Sequence, residues 1–365
     1  MTDEQNQIIN NKEEKEKIAK EIEEFPDDFY AYDKEKVHEF YQDIVTKIRK
    51  SYKLADDIKI EFPNTNNEDI DQIIFSGMGG SAIAGIILKD YIESLNPKLT
   101  VLINNNYHLP KHISKNALVI CVSYSGNTEE TLSTFKDAQR NSLRVMSVCS
   151  GGKLAELTKN YRLPLVNITP GFHPRQAFPF EFFPLIKILE KLTLIEDHSA
   201  IIENLTSVII KKNFKNIAID LTNKIFGKKI LIYTSKSFEG VAYRWKTQIN
   251  ENSKVPAFTH VFPELCHNEI CQFMNKLDDF HVIILKNNKD TVRMQKRIDI
   301  TKKLISKNCD VTELDITGNN DLIKIYSAVL IGDLTSYFLA IKNRRDPSDD
   351  SIIGTLKKEL GPWIN

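Results

Sequence analysis

The sequence predicts an α/β protein made of two doubly wound domains with mainly parallel sheets, preceded by a helical N-terminal segment and followed by a short C-terminal tail. Three observations predict this. From Asp71 onward, short apolar runs of strand length alternate with helical stretches, the pattern of a parallel sheet covered on both faces. A similar order starts again at Lys228, as in a degenerate internal duplication. The chain has 365 residues, 41% of them hydrophobic, enough to bury two cores of ordinary size.

The elements follow in order. The first 70 residues read as helical. Lys12 to Glu24 is so charged that a solvated helix or frayed arm is expected there rather than packed structure. Val37, Phe40, Tyr41, Ile44 and Ile48 make an apolar stripe at helical spacing that ends near Tyr52, so that helix packs on something. Strands are expected at 73–75, 99–103, 117–122, 144–148 and 165–168, with helices at 81–95, 127–140 and 153–159 between them. Residues 177–194 read as a helix despite Pro179 and Pro184, and 201–210 as another, together forming the bridge to the second unit. There the pattern gives strand 230–233, helix 238–250, strand 282–285, helix 292–306, strand 311–316 and a long apolar helix 322–340. The expected boundaries are an N-terminal segment over 1–70, a first domain over 71–194, a linker helix over 195–215, a second domain over 216–345 and a tail over 346–365.

Composition excludes several classes. Lys plus Arg and Asp plus Glu are equal at 49 each, so no global field favours nucleic acid or an anionic membrane. Met1 to Glu24 contains no apolar signal core, and no stretch reaches the roughly 18 uninterrupted apolar residues that span a bilayer, so a cytoplasmic location is expected. Cys121, Cys149, Cys266, Cys271 and Cys309 lie mostly in apolar runs, without CxxC or a Cys/His zinc spacing, and are expected to be buried free thiols. No metal site is expected.

Chemistry concentrates first in Ser123-Tyr124-Ser125-Gly126-Asn127-Thr128-Glu129-Glu130-Thr131, between an apolar strand and a helix. Hydroxyls and free backbone N–H groups converge there where the helix dipole favours an anion, so Ser123, Ser125 and Thr128 are candidate phosphate ligands. One helix cap requires only one such side chain; three hydroxyls around a glycine are more than capping needs.

The turn Ser76-Gly77-Met78-Gly79-Gly80-Ser81-Ala82 fits a loose GxGxxA pattern. A dinucleotide site also wants an acidic residue about 20 positions on, where this chain has Asn104-Asn105-Asn106. Contact with a small substrate by Gly79, Gly80 and Ser81 is the better reading, a purely structural turn the other. The second half lacks both features, since Thr234-Ser235-Lys236 and Lys286-Asn287-Asn288 occupy the matching places. Glu251 sits where a helix runs into the loop before Val255-Pro256-Ala257, and His267 stands in Pro263-Glu264-Leu265-Cys266-His267-Asn268-Glu269-Ile270. Alone, a helix-end glutamate is by default a solvated side chain and a lone histidine is usually structural, so neither proves anything by itself.

Jointly, the turn at Gly77 to Ser81 and the strings Ser123 to Thr131, Lys246 to Asn252 and Pro263 to Ile270 resemble the bifunctional phosphoglucose/phosphomannose isomerases, members of the phosphoglucose isomerase superfamily built from two SIS-type (sugar isomerase) domains. The resemblance runs in order from about residue 71 to 361. It implies interconversion of glucose 6-phosphate or mannose 6-phosphate with fructose 6-phosphate, with no metal or other cofactor. It further implies phosphate binding by Ser123, Ser125 and Thr128, and a sugar site lined by Gly79, Gly80 and Ser81. Arg175, in His173-Pro174-Arg175-Gln176, matches the arginine beside the reacting carbons, Glu251 the catalytic base, and His267 the ring-opening residue supplied by the partner subunit of a homodimer. Lys357 matches a C-terminal lysine that assists ring opening, with Lys358 adjacent.

The chain departs from the family at Cys266, where many members have a polar residue, at Cys271-Gln272-Phe273, where a glycine is common, and at Asp346-Pro347-Ser348, which replaces Asp-Pro-Thr. The alternatives are a sugar-phosphate sensor without turnover, and another SIS-type isomerase or lyase. Sensors of this kind normally append a DNA-binding domain with a basic recognition helix, and Lys12 to Glu24 is too short and too neutral for one.

Overall fold

The computed structural model describes residues 29–62 and 69–361, so the charged stretch Lys12 to Glu24 lies outside it. After a short 3₁₀ turn at Phe29–Tyr32, helices α1 (Val37–Gln42) and α2 (Ile44–Tyr52) carry the predicted stripe, with Val37, Phe40, Ile44 and Ile48 buried and Tyr41 half-buried. Asp33 holds this start in place: its carboxylate accepts from the Val37 N–H at 2.7 Å and from the Tyr337 hydroxyl at 2.9 Å.

The first sheet comprises β1 (Gln72–Ser76), β2 (Thr100–Asn104), β3 (Ala117–Ser123), β4 (Arg144–Cys149) and β5 (Leu165–Asn167), in the order β2-β1-β3-β4-β5. The second has β6 (Lys229–Ser235), β7 (Ala257–Phe262), β8 (Phe280–Asn287) and β9 (Asp310–Ile316), in the order β7-β6-β8-β9. Every strand pair is parallel. If β6, β7, β8 and β9 correspond to β1, β2, β3 and β4, the two orders coincide, as the duplicated β-α pattern predicts.

Crossover helices cover the sheets: α3 (Gly80–Leu95), α4 (Glu129–Arg140), α5 (Gly152–Asn160), α6 (Phe178–Lys191), α7 (Ser199–Lys211), α8 (Phe214–Ile225), α9 (Glu239–Gln248), α10 (Val292–Ile305) and α11 (Asp321–Lys342), followed by α12 (Ser351–Leu360). One continuous apolar core, which includes α6 and α11, joins the inner faces of the two sheets. Separate clusters lie under α4 and α5 on the first sheet and under α10 on the second. Parallel strands buried on both faces produce this layering. By length and composition α11 could cross a membrane, but here it is the central core helix, with Leu322 to Ile341 all buried. Gly332 is required at its contact with α9, since a Cβ there would lie 2.2 Å from the indole Nε1 of Trp245, which donates to the Ala328 carbonyl at 2.8 Å.

The structure adds four elements to the sequence-based expectation, one of them α12 where only a tail was expected. Strand β7 is an edge strand whose Thr259 and His260 break its apolar run, so its sequence does not read as a strand. Helix α8 packs on α11 and was not expected from the pattern. The helix expected over 238–250 continues into a π-helical turn, Ile249–Ser253. The cysteine expectation is corrected in part. All five are free, and Cys121, Cys149 and Cys309 are buried, but Cys266 is half-buried and Cys271 exposed, because in the 3₁₀ turns over 264–274 Leu265 and Phe273 are the side chains that face the core.

Candidate active site

In the first sheet the chain leaves β1 towards β2 on one side and β3 towards β4 on the other, so the carboxyl ends of β1 and β3 open a crevice at a topological switch point. Both predicted turns lie there. After β3, the Ser123 and Thr128 hydroxyls are 3.0 Å apart, the Gly126 N–H donates to Ser123 Oγ at 3.1 Å, and the Asn127 N–H donates to Ser125 Oγ at 3.2 Å. Thr128 occupies the N-cap position of α4, yet its side chain makes no capping hydrogen bond and turns to Ser123 instead. Gly126 has φ +67°, and a Cβ on it would lie 1.8 Å from the Gly151 carbonyl oxygen, so no other residue fits this turn.

The turn after β1 is stitched to this loop. The Tyr124 N–H donates to Ser81 Oγ at 3.2 Å, and Ser81 Oγ donates to Glu181 Oε1 on α6 at 2.5 Å. The Tyr124 hydroxyl accepts from the Phe172 N–H at 2.8 Å, which holds the segment carrying Arg175 against the same edge. Gly80 lies in contact distance of that segment, its Cβ position being 3.6 Å from the Pro174 carbonyl.

Arg175 is buried and forms the centre of a second group. Its Nη1 donates to the carbonyls of Glu251 at 2.9 Å and Pro347 at 2.7 Å and to Asn252 Oδ1 at 3.2 Å, its Nη2 donates to the Ser348 carbonyl at 3.3 Å, and its Nε lies 3.5 Å from Glu251 Oε2. A guanidinium fixed from this many directions cannot reorient, which suits it to a charge that develops at one place. The π-helical turn lets the Glu251 carbonyl and carboxylate face Arg175 together. Burial pushes the Glu251 carboxyl above the ordinary glutamate range, opposed by Arg175, Arg244 and Lys254, yet the side chain keeps 32% exposure and so can be reached. Burial, helped by the charge of Arg175, holds His173 down at about 4, so its imidazole is neutral, and its Nε2 lies 3.2 Å from Arg175 Nη2.

Beneath both groups, Arg244 forms a bidentate pair with Asp333 at 2.9 and 2.7 Å, lies 4.1 Å over the Phe178 ring, and donates to the Arg175 carbonyl at 3.4 Å. Asp333→Ala leaves that guanidinium buried without its carboxylate, and is expected to cost about 3–5 kcal/mol, read as a lower urea midpoint with an unchanged slope.

Two expected residues lie apart. His267 is exposed after β7 and makes no contact with Arg175 or Glu251. Lys357 and Lys358 are exposed on α12, whose Ile352, Leu356 and Leu360 form an uncovered stripe at 81, 60 and 66% exposure. The structure adds Asn252, His173, Arg244, Asp333, Ser348 and Glu181 to the site; Ser348 Oγ and Glu181 Oε2 are buried without hydrogen-bond partners. The sequence carried a signal for Glu181, a carboxylate inside the aromatic run Phe178-Pro179-Phe180-Glu181-Phe182-Phe183. Among the described residues, no group of three or more His, Cys, Asp or Glu side chains is placed to hold a metal ion.

Residues 68–165 match the SIS domain family, and residues 214–360 match the bacterial phospho-glucose isomerase C-terminal SIS domain. The chain is 36% identical over 328 residues to a bifunctional phosphoglucose/phosphomannose isomerase of Caldicellulosiruptor bescii, covering 86% of this chain and 96% of that protein. It is 34% identical over 294 residues to a bifunctional phosphoglucose/phosphomannose isomerase of Aquifex aeolicus, covering 79% and 90%. Its fold is similar to that of a putative phosphosugar isomerase from Clostridium difficile 630, with a TM-score of 0.66 at 17% identity over 90% of this chain and 99% of that one.

Proposed function

The chain belongs to the bifunctional phosphoglucose/phosphomannose isomerase family, and from that premise we propose that it interconverts glucose 6-phosphate or mannose 6-phosphate with fructose 6-phosphate through a cis-enediol(ate). The observation that carries this reading is the fixed guanidinium of Arg175 against the half-buried carboxylate of Glu251. Beside it lies an anion-binding loop at the switch point, tied to the Arg175 segment through Tyr124.

Each residue then has a task. Ser123, Ser125 and Thr128 grip the phosphate, and Gly79, Gly80 and Ser81 line the sugar, so that remote binding energy orients the reacting carbons. Glu251 removes the C2 proton and returns it at C1; its raised pKa brings its basicity nearer to that of the proton it must exchange. Arg175 stabilises the oxygen charge of the enediolate. These groups complete the proton transfer by themselves, so chelator-treated protein is expected to isomerise both aldoses. An assay that yields fructose 6-phosphate from neither contradicts the proposal.

Ring opening is assigned to His267 and Lys357. His267 is exposed and apart from Glu251, which agrees with its serving the site of a partner subunit in a homodimer. The uncovered Ile352, Leu356 and Leu360 stripe supports the docking of α12, and Lys357 with it, onto further protein surface. Mixing inactive Glu251→Gln and His267→Ala proteins after subunit exchange should restore about a quarter of the wild-type activity, since half the dimers are mixed and each then carries one intact site. No recovery, with mixed dimers demonstrated, contradicts a shared site.

A further inference from the structure

The Ser81 hydroxyl has one proton and two lone pairs. One lone pair takes the Tyr124 N–H at 3.2 Å, and the proton lies towards Glu181 Oε1 at 2.5 Å. The hydroxyl therefore has nothing to donate to an anion in the crevice while Glu181 accepts from it. Glu181 is fully buried, and its second oxygen, Oε2, has no hydrogen-bond partner, an arrangement costly for a carboxylate and natural for a carboxyl.

We propose that Glu181 is a positioning residue that sets the direction of the Ser81 hydroxyl, and so decides whether Ser81 donates to an anion held between the two turns. As a carboxylate, Glu181 keeps the Ser81 proton. As a carboxyl it donates its own O–H to Ser81 Oγ, which then accepts twice and turns its proton outward to the ligand. Binding an anion under conditions where Glu181 is ionised therefore takes up one proton from solvent, which ends on Glu181. This inference rests on the anion-binding reading of the Ser123 to Thr128 loop and adds to it a residue outside the loop.

The surroundings allow the switch. Burial pushes the Glu181 carboxyl up to about 7, opposed by the Ser81 hydrogen bond and by Arg244. Arg244 reaches α6 from α9 and is neutralised by Asp333 from α11, while Tyr124 approaches after β3. The titratable groups that α2 and the following turn bring to α6, the neutral Tyr52 and the carboxylate of Asp56, engage Glu190 and Lys187 further along it. Helix α3 contributes Ser81 itself.

The test is sulfate binding by the full chain from pH 5.5 to 8.5, because sulfate does not titrate in this range and reports only the protein. Wild-type affinity should fall about tenfold as pH rises through the range, the size of one hydrogen bond to a charged group. Glu181→Gln donates a permanent N–H to Ser81 and should keep the low-pH affinity throughout. Ser81→Ala should bind more weakly at low pH and lose the pH dependence, which tests the switch without altering the buried carboxylate. Sulfate affinities that change with pH in parallel in the wild type and the variants overturn the role of Glu181 and leave the loop intact. Absence of sulfate binding by the wild type at every pH overturns the anion-binding reading itself.

Discussion

Glu251→Gln is expected to lower kcat for both hexose 6-phosphates by about 10²–10⁴-fold, the range for loss of a positioned general base, with little change in KM. The amide preserves the shape of the side chain and cannot take a proton. Because the backbone carbonyl of Glu251 remains to accept from Arg175, the local structure should persist, and the variant should match the wild type in thermal unfolding. The wild-type pH profile should carry the same signature. A base works only when ionised, so kcat/KM should fall on the acid side through the pKa of Glu251, and burial places that limb above the ordinary glutamate value of about 4.3. An acid limb at or below that value contradicts the assignment of Glu251 as the base.

Arg175→Lys should cost about 10²–10³-fold in kcat, the size of losing a preorganised charge at a developing oxyanion. The substitution keeps the positive charge, but one ammonium cannot satisfy the carbonyls of Glu251, Pro347 and Ser348 and the Asn252 amide together. The phosphate grip lies elsewhere, so KM should move by much less than kcat. An equal loss in binding, with kcat retained, would reassign Arg175 from the reacting carbons to the anion. The adjacent Pro347 and Ser348 carbonyls fasten the start of the tail to this arginine, so the lost contacts should also lower the melting temperature.

Most of the architecture could be read from the chain, for a physical reason that also explains the gaps. Parallel strands buried on both faces, such as Ala117–Ser123, leave an unbroken apolar run, and the helices between them show the matching period. Edge strand β7 has no such run because it is covered incompletely, and only two residues separate α8 from the end of α7, so its Asn213 cap sits in what reads as a single helical stretch. The site divides in the same way. Ser123, Gly126 and Thr128 are close in sequence because they belong to a single turn, so their clustering was visible. Arg175 and Glu251 come together only through packing between segments 76 positions apart, which local pattern cannot reveal; the family resemblance pointed to both, and Asn252 beside them is seen only in the fold. Glu181 shows only as a carboxylate within an aromatic run, and the Arg244–Asp333 pair carries no motif at all. Their roles follow from burial and from which hydrogen bonds they make, and both are properties of the folded chain.

The most direct test is to incubate the chelator-treated protein and its Glu251→Gln variant with glucose 6-phosphate or mannose 6-phosphate in deuterated water and to follow fructose 6-phosphate by NMR. The wild type should form fructose 6-phosphate from both sugars and carry solvent deuterium into C1, because the abstracted proton exchanges on the base before it returns, and the variant should do both about 10²–10⁴-fold more slowly. Binding of either sugar phosphate without turnover, or product that stays free of deuterium at equilibrium, would contradict an enediol isomerase that uses Glu251 as its base.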